Sequence, residues 1–166
     1  MKIIKASQQH IEKILSLCKD CSQNMANNLI EQWDEVYPNK EVFLNDIKNR
    51  SLYIAVANNS EDIIACIVLN EFEDPEYQEI KWKYVRGKIA VIHRLMVHPM
   101  HEGKGIAQHM VKCIEELAKE KQYGAIRLDV FVNNPRAVSF YKKLGYEVTG
   151  EVSFRKGAFF CCEKLV

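Results

Sequence analysis

Apolar and polar residues follow a helical period in the first quarter of the chain. After a short strand at Lys2–Ala6, Ser7 has the side chain of a helix N-cap, and an apolar face then recurs every three or four residues. That face consists of Ile11, Ile14, Leu15 and Cys18. The helical pattern is expected to continue to Tyr37-Pro38 through Met25, Leu29, Ile30 and Trp33. A second short helix is predicted around Val42, Phe43 and Ile47.

The pattern changes to strands after position 51. Apolar, β-branched runs at Leu52–Val56 and Ile63–Leu69 predict two antiparallel core strands. They flank Asn58-Asn59-Ser60-Glu61, which is typical of a hairpin turn. The polar stretch Glu71–Lys83 predicts a strand end and an exposed loop, and Lys88–Val97 predicts another long strand.

The most regular helical stripe of the chain comes next. Its members are Ile106, Met110, Cys113, Ile114, Leu117 and Ala118. The helix is expected to end near Tyr123-Gly124. Alternation then predicts a strand with Ile126, Leu128, Val130 and Val132 on one face. A strand-helix-strand crossover therefore lies in the middle of the chain.

A last helix and two last strands complete the pattern. Asn134 is the expected N-cap, Pro135 the first helical residue and Gly145 the end of the helix. One face of this helix carries Ala137, Phe140, Tyr141 and Leu144. The final strands, at Tyr146–Val148 and Ala158–Leu165, are expected on either side of a turn at Lys156-Gly157. The order of elements predicts a mixed α/β fold.

Length and charge narrow the class of protein. A chain of 166 residues lies within the size range of one domain, so we expect a single domain over residues 1–166. Lys and Arg total 23 against 22 Asp and Glu, which gives no net field for nucleic acid or anionic lipid. The longest apolar run is far shorter than the ~20 residues that cross a bilayer, and the N-terminus does not resemble a signal peptide. We therefore expect a cytoplasmic protein without nucleic-acid or membrane partners.

Cysteine and histidine positions do not predict a metal or redox site. The six cysteines are scattered through apolar patterns, as expected of small buried thiols. Cys18 and Cys21 form a Cys-x-x-Cys, but they lie late in a helix, whereas a redox pair gains its low pKa at a helix start. His98, His101 and His109 surround one turn without an acid or thiol at metal spacing. We expect no metal.

The turn from Glu102 to Ala107 reads Glu-Gly-Lys-Gly-Ile-Ala and connects a strand to the most regular helix. Two glycines allow close approach of the backbone, and the first N–H groups of the helix point toward a bound anion. Lys104 adds a positive charge. The turn lacks the glycine and Ser/Thr positions of a Walker A loop and the third glycine of a dinucleotide fingerprint. Nucleoside triphosphates and NAD are thus disfavoured as ligands.

About thirty residues later the chain reads Asn134-x-x-Ala137-x-x-x-Tyr141-x-x-x-Gly145-Tyr146. This segment and the glycine turn together resemble the GNAT superfamily of N-acetyltransferases, with specific motifs from Lys88 to Tyr146. The resemblance implies a mixed, mostly antiparallel central sheet with a splayed strand pair and helices on both faces. It also implies acetyl-CoA as co-substrate.

The resemblance assigns donor-binding roles to residues of this chain. Backbone groups of Leu95, Met96 and Val97 are expected to pair with the pantetheine arm. The pyrophosphate is assigned to Gly103, Lys104, Gly105, Ile106 and Ala107. Glu102 departs from the Gln or Arg of the family pattern. Asn134 corresponds to the family Asn near the pantetheine, and Tyr141 to the Tyr near the coenzyme sulfur, where it is the expected general acid.

The acceptor side is less defined by sequence. A base or an ordered water chain must take the proton of the amine, because an alkyl ammonium has a pKa of ~10.4. Candidate bases are His93, on the splayed strand, and Glu71, and His93 is preferred slightly. Trp33, Tyr37 and the loop Glu71–Lys83 are expected to shape the acceptor pocket.

Two further charged residues, Arg94 and Asp129, lie within strand patterns. They are interpreted as members of salt bridges or of a cleft rim.

The leading hypothesis is direct transfer of an acetyl group from acetyl-CoA to a small-molecule or peptide amine, by a monomer or homodimer. One alternative is a noncatalytic acyl-CoA sensor that acts through a protein partner. The third hypothesis is thioester hydrolysis or another kind of phosphate binding.

Overall fold

The computed structural model describes residues 1–58 and 60–166. The helices of this part of the chain are α1 (Ile11–Asn27), α2 (Lys40–Lys48), α3 (Ile106–Glu120) and α4 (Pro135–Lys143). The strands are β1 (Lys2–Lys5), β2 (Leu52–Val56), β3 (Ile63–Asn70), β4 (Lys88–Val97), β5 (Tyr123–Phe131), β6 (Glu147–Phe154) and β7 (Gly157–Leu165). Short 3-10 helices lie at Gln8–His10, Pro75–Glu79 and Pro99–His101. None of the helices described is long and apolar enough to span a membrane.

The strands follow the hydrogen-bonded order β1-β2-β3-β4-β5-β7-β6. The β1–β2, β2–β3, β5–β7 and β6–β7 pairs are antiparallel, whereas β4 and β5, the strands joined by α3, are parallel. The predicted mixed, mostly antiparallel fold with a strand-helix-strand crossover is thus confirmed.

Residue contacts divide the chain into two compact units. The N-terminal unit comprises Met1–Leu69 and Arg94–Lys112, and the C-terminal unit comprises Asn70–His93 and Cys113–Val166. The boundary passes through β4 and α3. The single-domain organisation of residues 1–166 remains a prediction.

The N-terminal unit has its own apolar core beneath the β1-β2-β3 strands. In the register of these strands, Ile4 lies opposite Ile54, and Ile54 lies opposite Cys66. Ile14 of α1 and Phe43 of α2 are fully buried in the core that also contains Ile54 and Cys66. The apolar residues at helical spacing on α1 therefore mark the face of the helix that packs inward.

The C-terminal unit is built around β5. The first half of β4 pairs with β5 from Lys88 to Val91, and β7 pairs with β5 along Ala125–Phe131. Asn134 starts α4 as predicted, because its Oδ1 atom accepts a hydrogen bond from the N–H of Ala137 at 3.1 Å.

The predicted helix through Met25 to Tyr37-Pro38 is wrong beyond Asn27. Helix α1 ends there, and Leu29 adopts a left-handed φ of 62°, which a continuing helix cannot contain. The carboxylate of Asp34 then accepts hydrogen bonds from the N–H groups of Val36 and Tyr37, at 3.0 and 3.2 Å. Local side-chain hydrogen bonds of this kind compete with helix formation.

Other boundaries differ from the prediction in small ways. Helix α3 ends at Glu120 rather than near Tyr123-Gly124, because Gln122 has a left-handed φ of 61° and Tyr123 begins β5. Strand β6 runs over Glu147–Phe154, well beyond the predicted Tyr146–Val148. The predicted turn Asn58-Asn59-Ser60-Glu61 falls partly outside the described residues, since it contains Asn59.

The segment Glu71–Lys83 was predicted to be an exposed loop, but it is held in place by contacts with buried residues of β5 and β7. Tyr77 is only 1% exposed and lies in the 3-10 helix of this segment. The Trp82 ring stacks 4.2 Å from the guanidinium of Arg127, which is itself buried. Glu163, another buried residue, accepts hydrogen bonds from the backbone N–H groups of Lys83 and Tyr84, at 3.0 and 3.1 Å. Buried partners on β5 and β7 thus fold a segment whose own sequence is mostly polar.

The six cysteines are free thiols, and all except the half-buried Cys113 are buried, as predicted. Cys21 lies well inside α1, where burial, more than its charged neighbours, raises its pKa to about 12. Burial also raises the pKa of Cys18. Both shifts work against the thiolate that redox chemistry needs.

Candidate active site

The glycine turn lies in the N-terminal unit, between the end of β4 and the start of α3. Gly103 and Gly105 have left-handed φ angles of 73° and 76°. A Cβ carbon built at either glycine would meet no atom of the described residues within 4 Å. The backbone requires glycine for its conformation, and the open space beside it lets a ligand approach the main chain. A helix N-terminus follows directly at Ile106, as an anion site requires.

The two charged residues of the turn have partners close by. Lys104 Nζ donates to the carbonyl oxygen of Met100 at 2.9 Å, which keeps its positive charge at the turn. Glu102, the departure from the family pattern, accepts from the side-chain amide of Asn24 at 3.4 Å. Its carboxylate is therefore directed to α1.

Strand β4 is irregular just before the turn. Arg94 has a left-handed φ of 49°, which interrupts the extended backbone of the strand. In the N-terminal unit, the thiols of Cys66 and Cys21 donate to the carbonyl oxygens of Arg94 and Val97, at 3.7 and 3.3 Å. The N–H of His98 donates to the carbonyl oxygen of Ile64 at 2.8 Å. Two thiols thus satisfy carbonyl groups of the strand that is expected to bind pantetheine.

Tyr141 lies on the inward face of α4 in the C-terminal unit. Its side chain is 8% exposed and makes edge contacts with Phe140 and Tyr146, at ring-centroid distances of 5.1 and 5.6 Å. Burial, followed by the nearby carboxylate of Asp129, raises the pKa of the Tyr141 phenol above its ordinary value. The phenol is therefore a proton donor, not a phenolate, at neutral pH.

The two predicted bases lie close together in the C-terminal unit: His93 contacts the residues on either side of Glu71. His93 Nε2 lies 3.1 Å from Asn70 Oδ1 and 3.2 Å from the carbonyl oxygen of Phe72. Both partners are acceptors, because Asn70 Oδ1 also accepts from the N–H of Phe72. Nε2 therefore carries a proton, and a neutral His93 has its lone pair on Nδ1. Glu71, between these partners in sequence, is exposed and accepts from the Tyr123 hydroxyl at 2.6 Å.

The histidines near the glycine turn have hydrogen-bonding contacts instead of a metal geometry. His98 Nδ1 accepts from the N–H of Met100 at 3.2 Å, and its Nε2 lies 3.4 Å from Asp20 Oδ2. The ring of His101 packs edge-on against His98. Within residues 1–58 and 60–166, no group of three or more His, Cys, Asp or Glu side chains is arranged to hold a metal ion.

The structure distributes the predicted site residues over both units. Leu95, Met96, Val97 and the whole glycine turn belong to the N-terminal unit, and Asn134, Tyr141, His93 and Glu71 belong to the C-terminal unit. Their assigned roles remain predictions.

Sequence reasoning missed the partners of two charged residues. Arg94 pairs with Asp46, and Asp129 accepts from the Tyr77 hydroxyl at 2.8 Å. The isolated charges within strand patterns were the only signal in the sequence, and they indicated neither partner.

Comparison with known proteins assigns the class. The model of the acetyltransferase (GNAT) family matches residues 12–146. The chain therefore belongs to the GNAT acetyltransferase family, which confirms the resemblance carried by the glycine turn and the Asn134–Tyr146 segment.

Individual relatives agree with the family. The chain is 29% identical over 116 residues to the spermine/spermidine N(1)-acetyltransferase of Bacillus subtilis, a match that covers 69% of this chain and 72% of that protein. It is also 29% identical over 104 residues to the probable N-acetyltransferase 14 of Xenopus tropicalis, which covers 63% of this chain. The chain spans only 44% of the length of that relative.

A solved structure shows the same fold. The PaiA N-acetyltransferase of Thermoplasma acidophilum, solved in complex with coenzyme A, superposes with a TM-score of 0.75 at 24% identity. The superposition covers 99% of this chain and 98% of the other.

Proposed function

We propose that this chain transfers the acetyl group of acetyl-CoA directly to a primary amine. The observation that carries the proposal is the glycine turn, in which Gly103 and Gly105 leave open space at the start of α3. Main-chain N–H groups of this turn bind the pyrophosphate, and Lys104 adds positive charge. Because these contacts are mainly to the backbone, Glu102 changes the local charge without removing the site. The coenzyme A complex of the Thermoplasma relative supports coenzyme A as the ligand.

The transfer needs one nucleophile and two proton steps. The neutral amine attacks the thioester carbonyl carbon, a C–N bond forms, and the C–S bond breaks. Backbone N–H groups near Leu95 and Val97 stabilise the negative charge on the carbonyl oxygen. Tyr141 gives its proton to the departing thiolate, whose basicity is close to that of a cysteine thiolate at ~8.5. No acyl-enzyme forms.

His93 is the proposed base that takes the proton of the amine. The fixed proton on Nε2 directs its basic lone pair to Nδ1, and the Asn70 and Phe72 acceptors hold the ring. Glu71 is exposed and bonded to the Tyr123 hydroxyl, which makes it the weaker candidate. His93→Gln is expected to lower kcat about 100-fold at pH 7 and less at pH 9.5, where more of the amine is already neutral. A larger loss in Glu71→Gln would assign the base to Glu71.

The proposed acceptor is a polycationic amine of the polyamine kind. Residues 71–79 contain five acidic residues and neither Lys nor Arg. Three of them, Glu71, Glu76 and Glu79, are exposed. A local negative field raises the concentration of cations near it and favours acceptors with more than one charge. The Bacillus relative, whose name identifies it as a spermine/spermidine acetyltransferase, supports the same class.

The test is an amine panel assayed with purified protein and acetyl-CoA. Spermidine, spermine, butylamine and a peptide with a free N-terminus are compared by thiol release and product mass. The expected result is one acetyl group added per thiol released, with the highest kcat/KM for spermidine or spermine. Preference for the peptide or butylamine would overturn the acceptor class. Thiol release without an acetylated product would indicate hydrolysis, and tight coenzyme A binding without turnover would favour the sensor.

A variant pair tests the acidic segment separately. Glu76→Gln/Glu79→Gln is expected to raise KM for spermine several-fold and to leave KM for butylamine unchanged. The matched change Glu116→Gln/Glu120→Gln removes two acidic residues from α3. This control is expected to leave KM for spermine and KM for butylamine as in the parent. If KM for spermine rises equally in both double variants, the cause is the net charge of the protein and not the acidic segment.

A further inference from the structure

Arg94 has a left-handed backbone conformation inside β4, with a φ of 49°. A residue with a Cβ carbon rarely adopts this conformation, because Cβ comes close to the following carbonyl oxygen. Such a conformation persists only where the surroundings hold it. The contacts of the Arg94 side chain and carbonyl identify what holds it here.

The guanidinium of Arg94 is buried and forms a two-bond fork with Asp46 of α2. Nε lies 2.9 Å from Asp46 Oδ2, and Nη2 lies 2.7 Å from Asp46 Oδ1. The two side chains are 9% and 5% exposed. The remaining nitrogen, Nη1, donates to the Tyr37 hydroxyl at 2.7 Å. A planar fork of this kind fixes direction as well as distance.

Asp46 lies in α2 and is in turn held by Ser51, which follows that helix. Its carbonyl oxygen accepts hydrogen bonds from both the N–H and the hydroxyl of Ser51, each at 3.0 Å. On the main-chain side, the carbonyl oxygen of Arg94 accepts from the Cys66 thiol of β3. Arg94 is therefore bound through its side chain to α2 and through its carbonyl oxygen to β3.

We propose that the Arg94–Asp46 pair is a positioning device, which holds the left-handed backbone of β4 at Arg94 and thereby the main-chain groups of Leu95–Val97 that bind acetyl-CoA. The inference rests on the proposed function, because it concerns the strand assigned to the pantetheine arm. Arg94 and Asp46 act through the backbone that follows Arg94. They are positioning residues and not catalytic residues.

The double variant Arg94→Met/Asp46→Leu separates positioning from stability. Apolar side chains of similar volume often replace a buried ion pair without loss of stability. The expected result is a free energy of unfolding equal to or above that of the parent, with kcat/KM for acetyl-CoA reduced about 10- to 100-fold. The affinity for coenzyme A, measured by calorimetry, is expected to fall as well.

The matched control is Arg94→Gly/Asp46→Leu. It lacks the same ion pair, but glycine adopts a φ of 49° without strain, so activity is expected to recover at least about threefold over the Met/Leu variant. If the Met/Leu variant does not fold, Arg94→Lys gives the test, since it keeps the charge and loses the fork.

Parent-like kcat/KM and coenzyme A affinity in a folded Met/Leu or Lys variant would overturn the inference. The proposed function fails in a different way, through a parent that turns over no amine. Coenzyme A affinity still compares parent and variants in that case, so the two failures are distinguishable.

Discussion

The hydroxyl of Tyr77 donates a 2.8 Å hydrogen bond to Asp129 Oδ2, and this contact joins the 71–83 segment to β5. Tyr77 is 1% exposed. Burial, followed by the Asp129 charge, raises the pKa of the Tyr77 phenol far above its ordinary value, so the hydroxyl remains a donor. The same carboxylate contributes to the raised pKa of Tyr141. Asp129 therefore both binds the buried Tyr77 of the 71–83 segment and acts on the pKa of Tyr141, the proposed acid.

Tyr77→Phe is expected to lower the free energy of unfolding by about 1.5–3 kcal/mol, because it removes a buried hydrogen bond to a charged group. Urea unfolding measures the change. Tyr123→Phe is the matched control, since it removes a hydroxyl bonded to the exposed Glu71 and is expected to cost no more than about 0.5 kcal/mol. Equal losses in the two variants would show that the Tyr77–Asp129 bond adds nothing beyond the loss of a phenol hydroxyl.

Because several thiols are buried, we expect the folded protein to lose stability at alkaline pH. Burial raises the pKa of Cys21 and Cys161 to about 12 and that of Cys162 to about 11. An unfolded thiol ionises near ~8.5, so above that pH the unfolded chain binds fewer protons than the native chain. Stability is therefore unaffected below pH ~8.5 and falls as the pH rises toward 11.

Cys21→Ala isolates one of these thiols. Between pH 9 and 10.5 the parent's free energy of unfolding is expected to decline more steeply than the variant's, by about 1.4 kcal/mol per pH unit. Urea unfolding at a series of pH values measures the two slopes. Identical slopes would mean that Cys21 ionises as readily in the native protein as in the unfolded chain.

Sequence patterns predicted those elements whose cause is local. The bounds of β4 and the start of α4 at Asn134-Pro135 agree with the structure, since alternation, an N-cap and a first-turn proline act within a few residues. The glycine turn also depends on local backbone requirements, which Gly103 and Gly105 meet by themselves.

Features that depend on distant partners could not be predicted in this way. The buried Tyr77 has the partner of its hydroxyl, Asp129, 52 positions away. Arg94 has its partner Asp46 at a separation of 48 positions. Helix α1 stops at Asn27 although apolar residues continue at helical spacing, because Leu29 and Asp34 support a different local backbone. Periodicity contains no information on such contacts.

Gly105→Glu is expected to abolish coenzyme A binding, because it puts a bulky negative side chain into the open space where the phosphates are proposed to bind. Gly105→Gln has nearly the same volume and the same backbone strain at a φ of 76° but no charge. It is expected to bind more weakly than the parent and more tightly than the Glu variant. Calorimetry with coenzyme A measures all three affinities. Survival of binding in Gly105→Glu would remove the phosphate site from this turn.

Tyr141→Phe tests the proposed acid while leaving the ring in place. The variant keeps the aromatic contacts with Phe140 and Tyr146, so the fold and the affinity for acetyl-CoA are expected to remain within about threefold of the parent. Without the phenolic proton, the thiolate leaves unprotonated, and kcat is expected to fall about 100-fold or more.

Steady-state kinetics with acetyl-CoA and calorimetry with coenzyme A separate these two effects for Tyr141. Tyr146→Phe provides the control, because it removes the hydroxyl of the buried ring that packs against Tyr141 and leaves the Tyr141 hydroxyl in place. A general acid also gives a characteristic leaving-group dependence: the loss in Tyr141→Phe is expected to shrink with a thioester whose leaving thiol is more acidic, because that thiolate needs less protonation. A parent-like kcat in Tyr141→Phe would limit Tyr141 to packing, and an equal loss in Tyr146→Phe would attribute the effect to the aromatic cluster as a whole.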